Sequence, residues 1–136
     1  PFEEGVVPNG PVSQHSHVNR LYYAKTAILT HDENGILNFY NRATIDVFGF
    51  QPEEAIGQPS KELLVPKDRS LINEREAELE KVLKEMIKIE VPRTKRNHKD
   101  GYLVDIHAWV FPYEVRLGQF SHCAIVRRLE SIATST

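Results

Sequence analysis

One cysteine, one methionine and one tryptophan stand among 136 residues. A lone Cys123 cannot close an internal disulfide, so a reducing cytoplasm is the simpler expectation. No apolar run approaches the roughly 20 residues needed to cross a bilayer, and no basic-then-apolar leader is present, so no membrane partner is expected. An excess of one charge sign is missing too. The formal net charge of -2 gives no reason to expect nucleic acid, because a phosphate-binding surface usually leaves a basic surplus. There is no Walker loop, GxSxG, HExxH, CxxC or dinucleotide fingerprint, which removes the motif-bearing enzyme classes. What is present is ordinary for a globular chain: 40% hydrophobic and 26% charged residues, in one domain long enough to bury its own core. The sequence opens at Pro1 without a methionine and ends in Ala133-Thr134-Ser135-Thr136, which reads as a segment of a longer protein whose effector lies elsewhere.

The densest structural signal runs from Gly35 to Gly57. Ile36 to Tyr40 is aromatic and branched, as a buried strand should be. Asn41 is a natural N-cap for a helix over Arg42 to Phe48, and Gly49 supplies the left-handed residue that stops it. Pro52 at a first turn, Glu53 and Glu54 beside the positive helix end and Gly57 past Ile56 mark a second, shorter helix.

That order of elements, with Phe48-Gly49-Phe50, Pro52, Glu54, Ile56 and Gly57, and later Lys99-Asp100-Gly101, resembles the central motif of the PAS family of sensory domains. Thr30-His31, Phe39-Tyr40-Asn41-Arg42-Ala43 and Pro59-Ser60 look closest to the PAS-like group called MEKHLA. The resemblance implies an α+β fold: a five-stranded antiparallel sheet with short helices and one long helix over one face, enclosing a small pocket. It divides the chain into a flexible lead-in over 1–12, an N-terminal flanking helix over 13–26, the PAS domain over 27–130 and a linker over 131–136.

In chain order, a helix from Ser13 to Lys25 places Val18, Leu21 and Tyr22 on one side. His15-x-His17 lies within it; alternate residues on a helix do not converge, so solvated histidines are the simpler reading than a metal site. Ala27 to Thr30 pairs with Ile36 to Tyr40 as a hairpin. Ser60 to Leu64 forms one turn, and Asp68 or Ser70 caps the long helix to about Met86. Ile72, Leu79, Val82, Leu83 and Met86 are its expected inward stripe, with Glu74, Arg75 and Glu78 solvated. Lys88 to Thr94 is a strand whose Pro92 fits an edge or a bulge. Arg93, Lys95, Arg96, His98 and Lys99 read as a solvated basic hairpin tip rather than an anion patch.

Tyr102 to Phe111 alternates clearly. Val104, Ile106, Ala108 and Val110 form an apolar face assigned to the core, and Asp105, His107, Trp109 and Phe111 form the other. A face ending in Trp and Phe needs a cover, either the flanking helix or a second copy, so Leu21, Tyr22, His107, Trp109 and Phe111 are the expected interface of a homodimer. Pro112 to Gly118 turns the chain into a last strand over Gln119 to Leu129. By family analogy Ser121, Cys123 and Ile125 point inward there and His122 outward. Arg128 stands where many PAS domains carry an Asp that helps connect sensor to effector.

Ligand contacts are assigned to Phe48 and Ile56, to Leu79 and Val82 on the long helix, and to Val104, Ile106, Ala108 and Ile125 on the sheet, a set suited to a small apolar molecule. The cofactor remains unknown. Flavin photosensors of the family carry an Asn-Cys-Arg-Phe-Leu-Gln run where this chain has Pro59-Ser60-Lys61-Glu62-Leu63-Leu64, and a hydroxyl at Ser60 cannot form their thiol adduct. Haem is unsupported, since no His lies between Asp68 and Met86. The resulting expectation is a non-catalytic, cytoplasmic sensory module of a bacterial two-component or similar signalling protein, which binds a small molecule and dimerises. The alternatives are a ligand-free scaffold and a small α+β enzyme in which Asp105 orients His107.

Overall fold

The computed structural model describes residues 20–131. Five strands make one antiparallel sheet in the order β2-β1-β5-β4-β3, with β1 Ala27–His31, β2 Leu37–Tyr40, β3 Ile89–Asn97, β4 Leu103–Arg116 and β5 Gln119–Arg128. Between β2 and β3 come three short helices, α1 Arg42–Phe48, α2 Pro52–Ala55 and α3 Ser60–Leu64, and the longer α4 Arg69–Glu85. Of the flanking helix expected over 13–26, only Arg20–Tyr22 are both described and helical; His15 and His17 lie outside the described residues. No described helix is long and apolar enough to cross a membrane.

The Gly35 to Gly57 segment folds as its punctuation demands. Gly49 takes φ +84° and its N–H returns to the Ile45 carbonyl at 2.7 Å, so α1 stops where a Cβ would be strained. Asn41 occupies the N-cap position but does not cap. It is fully buried, and its Oδ1 accepts from Ile28 N–H at 2.9 Å and Thr44 Oγ1 at 2.7 Å, while its Nδ2 donates to the Leu21 and Thr26 carbonyls. Its backbone N–H also donates to the Ile28 carbonyl at 3.1 Å, so its side chain continues the β1–β2 ladder one step past the point where the backbone leaves the sheet. Leu37, Tyr40 and Phe48, each at most 2% exposed, fill the space beneath. Burying a side chain of that size is worth about 1.5–3 kcal/mol.

Asp68 caps α4 by accepting from Leu71 N–H at 3.2 Å. Pro92 lies at a bulge in the edge strand β3, where its missing donor breaks no ladder. Pro112 does not begin a turn as the sequence suggests; β4 runs on to Arg116, pairing Pro112 with His122. The reason is geometric: β3 reaches only as far as Val110 along β4, so at Pro112 the strand has become an edge on one side.

Candidate functional site

Between the sheet and α4 lies a small cavity of about 70 Å³. Its sheet wall is apolar, with Ile106, Ala108 and Val110 from β4, Leu29 from β1 and Ala124 and Val126 from β5. Phe48 and Leu64 close one end. The opposite wall is polar. Arg75, Glu78 and Leu79 of α4 face it at helical spacing, and Thr94 and Arg96 of β3 join them at strand spacing, with His31 and His122 completing it.

Three features of that wall depart from the sequence reading. The inward stripe of α4 is Arg75, Glu78, Leu79 and Val82; Ile72 lies on an outer groove and Met86 is 47% exposed at a left-handed C-cap. The basic cluster is not one solvated tip, although Arg93, Lys95 and Lys99 keep 38%, 52% and 45% of their side-chain surface exposed. Arg93 and Lys95 project from β3 onto Asp105, at 2.7 and 2.6 Å, whereas Arg96 turns into the cavity. Lys99 bonds Glu54 at 2.7 Å, and the His98 ring stacks on Tyr102 at 4.3 Å. The inward residues of β5 are His122, Ala124 and Val126, because they pair with Pro112, Val110 and Ala108 and paired residues share a face. Ile125 pairs with Trp109 and lines a groove on the opposite side, so it does not reach the cavity.

Of the eight expected ligand contacts, Phe48, Leu79, Ile106 and Ala108 meet at the cavity. Val104 is buried in the core nearby, Ile56 packs on its margin, and Val82 is fully buried without lining the space. Leu29, Arg75, Glu78, Arg96 and the two histidines are lining residues the sequence reading did not include.

Electrostatics on the polar wall follow from burial. Arg75 and Arg96 are both lowered, Arg96 to about 10, by loss of water and, for Arg96, by the Arg75 charge; both stay cationic at neutral pH. Glu78 is raised by burial, opposed by Arg96. His31 is lowered to about 4 and His122 is lowered as well, in each case chiefly by burial, so both rings are neutral at pH 7. Burial likewise raises the Cys123 thiol to about 12, which disfavours the thiolate at neutral pH.

On the other face of the sheet, His107 stacks on Trp109 with ring centres 4.0 Å apart. Its Nε2 meets Glu90 at 2.7 Å and its Nδ1 accepts from Arg127 at 3.2 Å. Asp105 is held by Lys95 and Arg93, which keep its carboxyl below the usual range, and not by His107. The acid-base pairing of Asp105 with His107 is therefore absent, and His122 faces the other way. Leu21 is 44% exposed, whereas Tyr22 is buried within the single chain. Among the described residues no group of three or more His, Cys, Asp or Glu converges as metal ligands.

A helix-covered, five-stranded antiparallel sheet around an internal pocket is the arrangement expected above, and the family profile described as the PAS fold matches residues 17–128. The chain belongs to the PAS family. Its fold is similar to that of a PAS domain from Colwellia psychrerythraea, at 24% identity over 88% of this chain and 98% of that one with a TM-score of 0.70. It is also similar to a PAS domain from a two-component sensor histidine kinase, at 14% identity over 87% of this chain and 97% of that one with a TM-score of 0.68. The PAS domain of nitrogen regulation protein NR(II) from Vibrio parahaemolyticus aligns at 17% identity over 83% of this chain and 97% of that one, TM-score 0.64. No curated protein matches the sequence. What this PAS domain shares with those structures is the fold; the polar cavity wall rests on its own residues.

Proposed function

We propose that this PAS domain is the sensory module of a larger signalling protein, non-catalytic, in which a small molecule in the cavity biases how β5 and the residues after it are held. The observation that carries the reading is the cavity itself, lying between α4 and the sheet and bordered by His122, Ala124 and Val126 of the strand that leads out of the domain. A ligand shifts such an equilibrium only by its difference in affinity for the two arrangements. The outlet is tied down at two points: Leu129 N–H donates to the Asp105 carbonyl at 2.8 Å, and Arg93 bridges the Asp105 carboxylate and the Glu130 carbonyl. Arg93 and Asp105 would thereby supply the coupling contact for which Arg128 is unsuited.

Homodimerisation through the outer face belongs to the same proposal. Trp109, Phe111 and Ile125 form its apolar part, and Arg127 with the Glu90–His107 pair makes a polar margin. The small size of the cavity favours one rival, a scaffold that dimerises with a filled core. Native and denaturing mass spectrometry of the purified domain separates the two. The sensory reading expects a small mass that is held natively and released on denaturation, or taken up from a metabolite mixture, and a dimer lost in Trp109→Glu. A monomer at every concentration that neither carries nor takes up a small molecule overturns it.

A further inference from the structure

The polar wall is over-supplied with hydrogen-bonding capacity that the described residues do not use. Neither Arg75 nor Arg96 closes an ion pair among the described residues. Arg75 Nη2 donates to Ser60 Oγ at 2.7 Å, and Arg96 Nη1 donates to the Lys95 carbonyl at 2.8 Å and Thr94 Oγ1 at 3.3 Å, which leaves most of their ten N–H groups, five on each fork, unengaged. Among the described residues Glu78 is the one carboxylate lining the cavity; the exposed Glu76 and Glu74 also act on Arg75 and Arg96, respectively, but from outside it and through screening water. Within the cavity lining, two cations therefore face one anion, with the remaining carboxylates outside.

The histidines add the complementary feature. Among the described residues, His31 Nε2 and His122 Nδ1 are buried with no hydrogen-bond partner. Each ring's other nitrogen is committed: His31 Nδ1 lies 3.0 Å from the Asp32 carbonyl and His122 Nε2 lies 2.8 Å from the Leu79 carbonyl, so those nitrogens carry the protons. The free nitrogens are then bare lone pairs, acceptors that want a donor. The rings lie side by side, 4.9 Å between centres.

Resting on the reading of this cavity as a ligand site, we infer that its occupant is a small hydroxycarboxylate, with its carboxylate against Arg75 and Arg96 and its hydroxyl donating to His31 Nε2 or His122 Nδ1. One added negative charge balances the groups that line the cavity, and the carboxylates outside it oppose a second, which favours a monoanion over a dicarboxylate. The cavity is small, about 70 Å³ against the ~150 Å³ that accommodates six-atom benzene in an engineered cavity, so a six-atom hydroxycarboxylate would fill it and extend into the adjoining groove. The short alkyl part would lie on Ile106, Ala108 and Val110. A mouth exists: an open surface groove shares His31, Ser60, Arg75, Leu79 and His122 with the cavity. Its acidic rim is partly neutralised, Glu33 by Arg116 at 3.1 Å and Glu76 by Lys61 at 3.8 Å, and disfavours polyanions. An ordered water bridging the imidazoles would satisfy their lone pairs but leaves the second cation unbalanced.

The test compares lactate, propionate, which lacks the hydroxyl, and lactamide, which lacks the charge, by titration calorimetry and by amide and imidazole NMR shifts of the whole chain. Lactate is expected to bind saturably, with shifts at Ile106, Ala108 and His122, and to bind at least about tenfold more tightly than either analogue, the worth of one charge-assisted hydrogen bond. Arg96→Gln, which keeps the strand and removes the charge, is expected to abolish binding, with Lys99→Gln, which removes an exposed cation outside the cavity lining, as a companion that leaves the preference for lactate intact. Equal affinity for lactate and lactamide, or for lactate and propionate, overturns the inference, as does lactate binding that Arg96→Gln leaves unchanged. Failure of lactate and glycolate to bind while another molecule is released on denaturation overturns the hydroxycarboxylate assignment and leaves the sensory reading standing. Failure of every ligand together with a persistent monomer removes both.

Discussion

Replacing Asn41 by Asp distinguishes two accounts of this residue that the sequence alone cannot separate. If Asn41 simply caps α1, Asp serves as well, because the two are about equal at that position. The structure assigns it another duty. Oδ1 accepts from Ile28 N–H and Thr44 Oγ1, which an aspartate also does, but Nδ2 donates to the carbonyls of Leu21 and Thr26 at 2.9 and 2.7 Å, which an aspartate cannot. The Leu21 carbonyl keeps a second donor in Ala24 N–H, so the stranded acceptor is chiefly Thr26, now facing a buried negative charge. In Asn41→Ala both Ile28 N–H and the Thr26 carbonyl lose a partner. At about 1–3 kcal/mol for each unsatisfied buried group, both variants should lose roughly 3–5 kcal/mol. For a domain of this length that is a fall of roughly 10–20 °C in Tm. Urea unfolding followed by Trp109 fluorescence reads the loss directly. The Asp variant carries a further signature: its carboxyl is raised by burial, so the folded state takes up a proton before the unfolded one, and its deficit against the parent should shrink as pH falls. An Asn41→Asp protein within about 0.5 kcal/mol of the parent at pH 7 would refute the strand-latch account and restore the cap.

Gly49→Ala should destabilise by about 2–3 kcal/mol in the same unfolding assay, because φ is +84° and a Cβ would lie 2.5 Å from His98 Cε1; an unchanged midpoint would mean that the hairpin tip moves freely away from α1. Acid should weaken the domain through His31, whose folded pKa of about 4 lies below the ordinary 6.5. The unfolded chain takes up that proton first, so stability is complete above pH 6.5 and declines towards pH 4, by at most about 3 kcal/mol from this residue. His31→Gln should flatten that part of the slope, and an identical slope in parent and variant would count against the burial argument. Arg93→Ala should raise amide exchange in the 129–131 segment while costing about 1 kcal/mol or less of global stability, since Lys95 still holds Asp105; unchanged exchange there would show that Arg93 does not tether the outlet.

Strand β4 was legible from its alternation alone, since Ile106, Ala108 and Val110 on one face and Trp109 on the other follow from a period of two. The short helices were legible because Gly49 and Pro52 are local instructions that tertiary contacts do not rewrite. The polar wall was legible in principle and was obscured by treating charge as a mark of exposure. Arg75 and Glu78 precede Leu79 and Val82 by one helical turn, so the stripe that buries the two apolar residues turns the charged ones inward as well. On β3 the same alternation that sends Arg93 and Lys95 to Asp105 sends Thr94 and Arg96 to the cavity, a division hidden by ending the strand at Thr94. The face of β5 was not readable from its own sequence. Ser121 to Val126 is uniformly small or apolar apart from His122, and a slip of one residue exchanges the faces, so only pairing with β4 decides it.

That register has a mechanical consequence. His122, Ala124 and Val126 touch the cavity from a strand paired with β4 through Arg128, and the next residue, Leu129, bonds the Asp105 backbone. A displacement of β5 at His122 cannot be absorbed by the strand without breaking ladder bonds shared with β4, whereas the two outlet contacts beyond Arg128 are few and partly exposed. The lower-cost response is to change those contacts. In the proposed sensor, occupancy of the cavity would therefore be read at Leu129 and Glu130 rather than along β5, and the strand would act as a rigid connection between a polar site at one end and an adjustable clasp at the other.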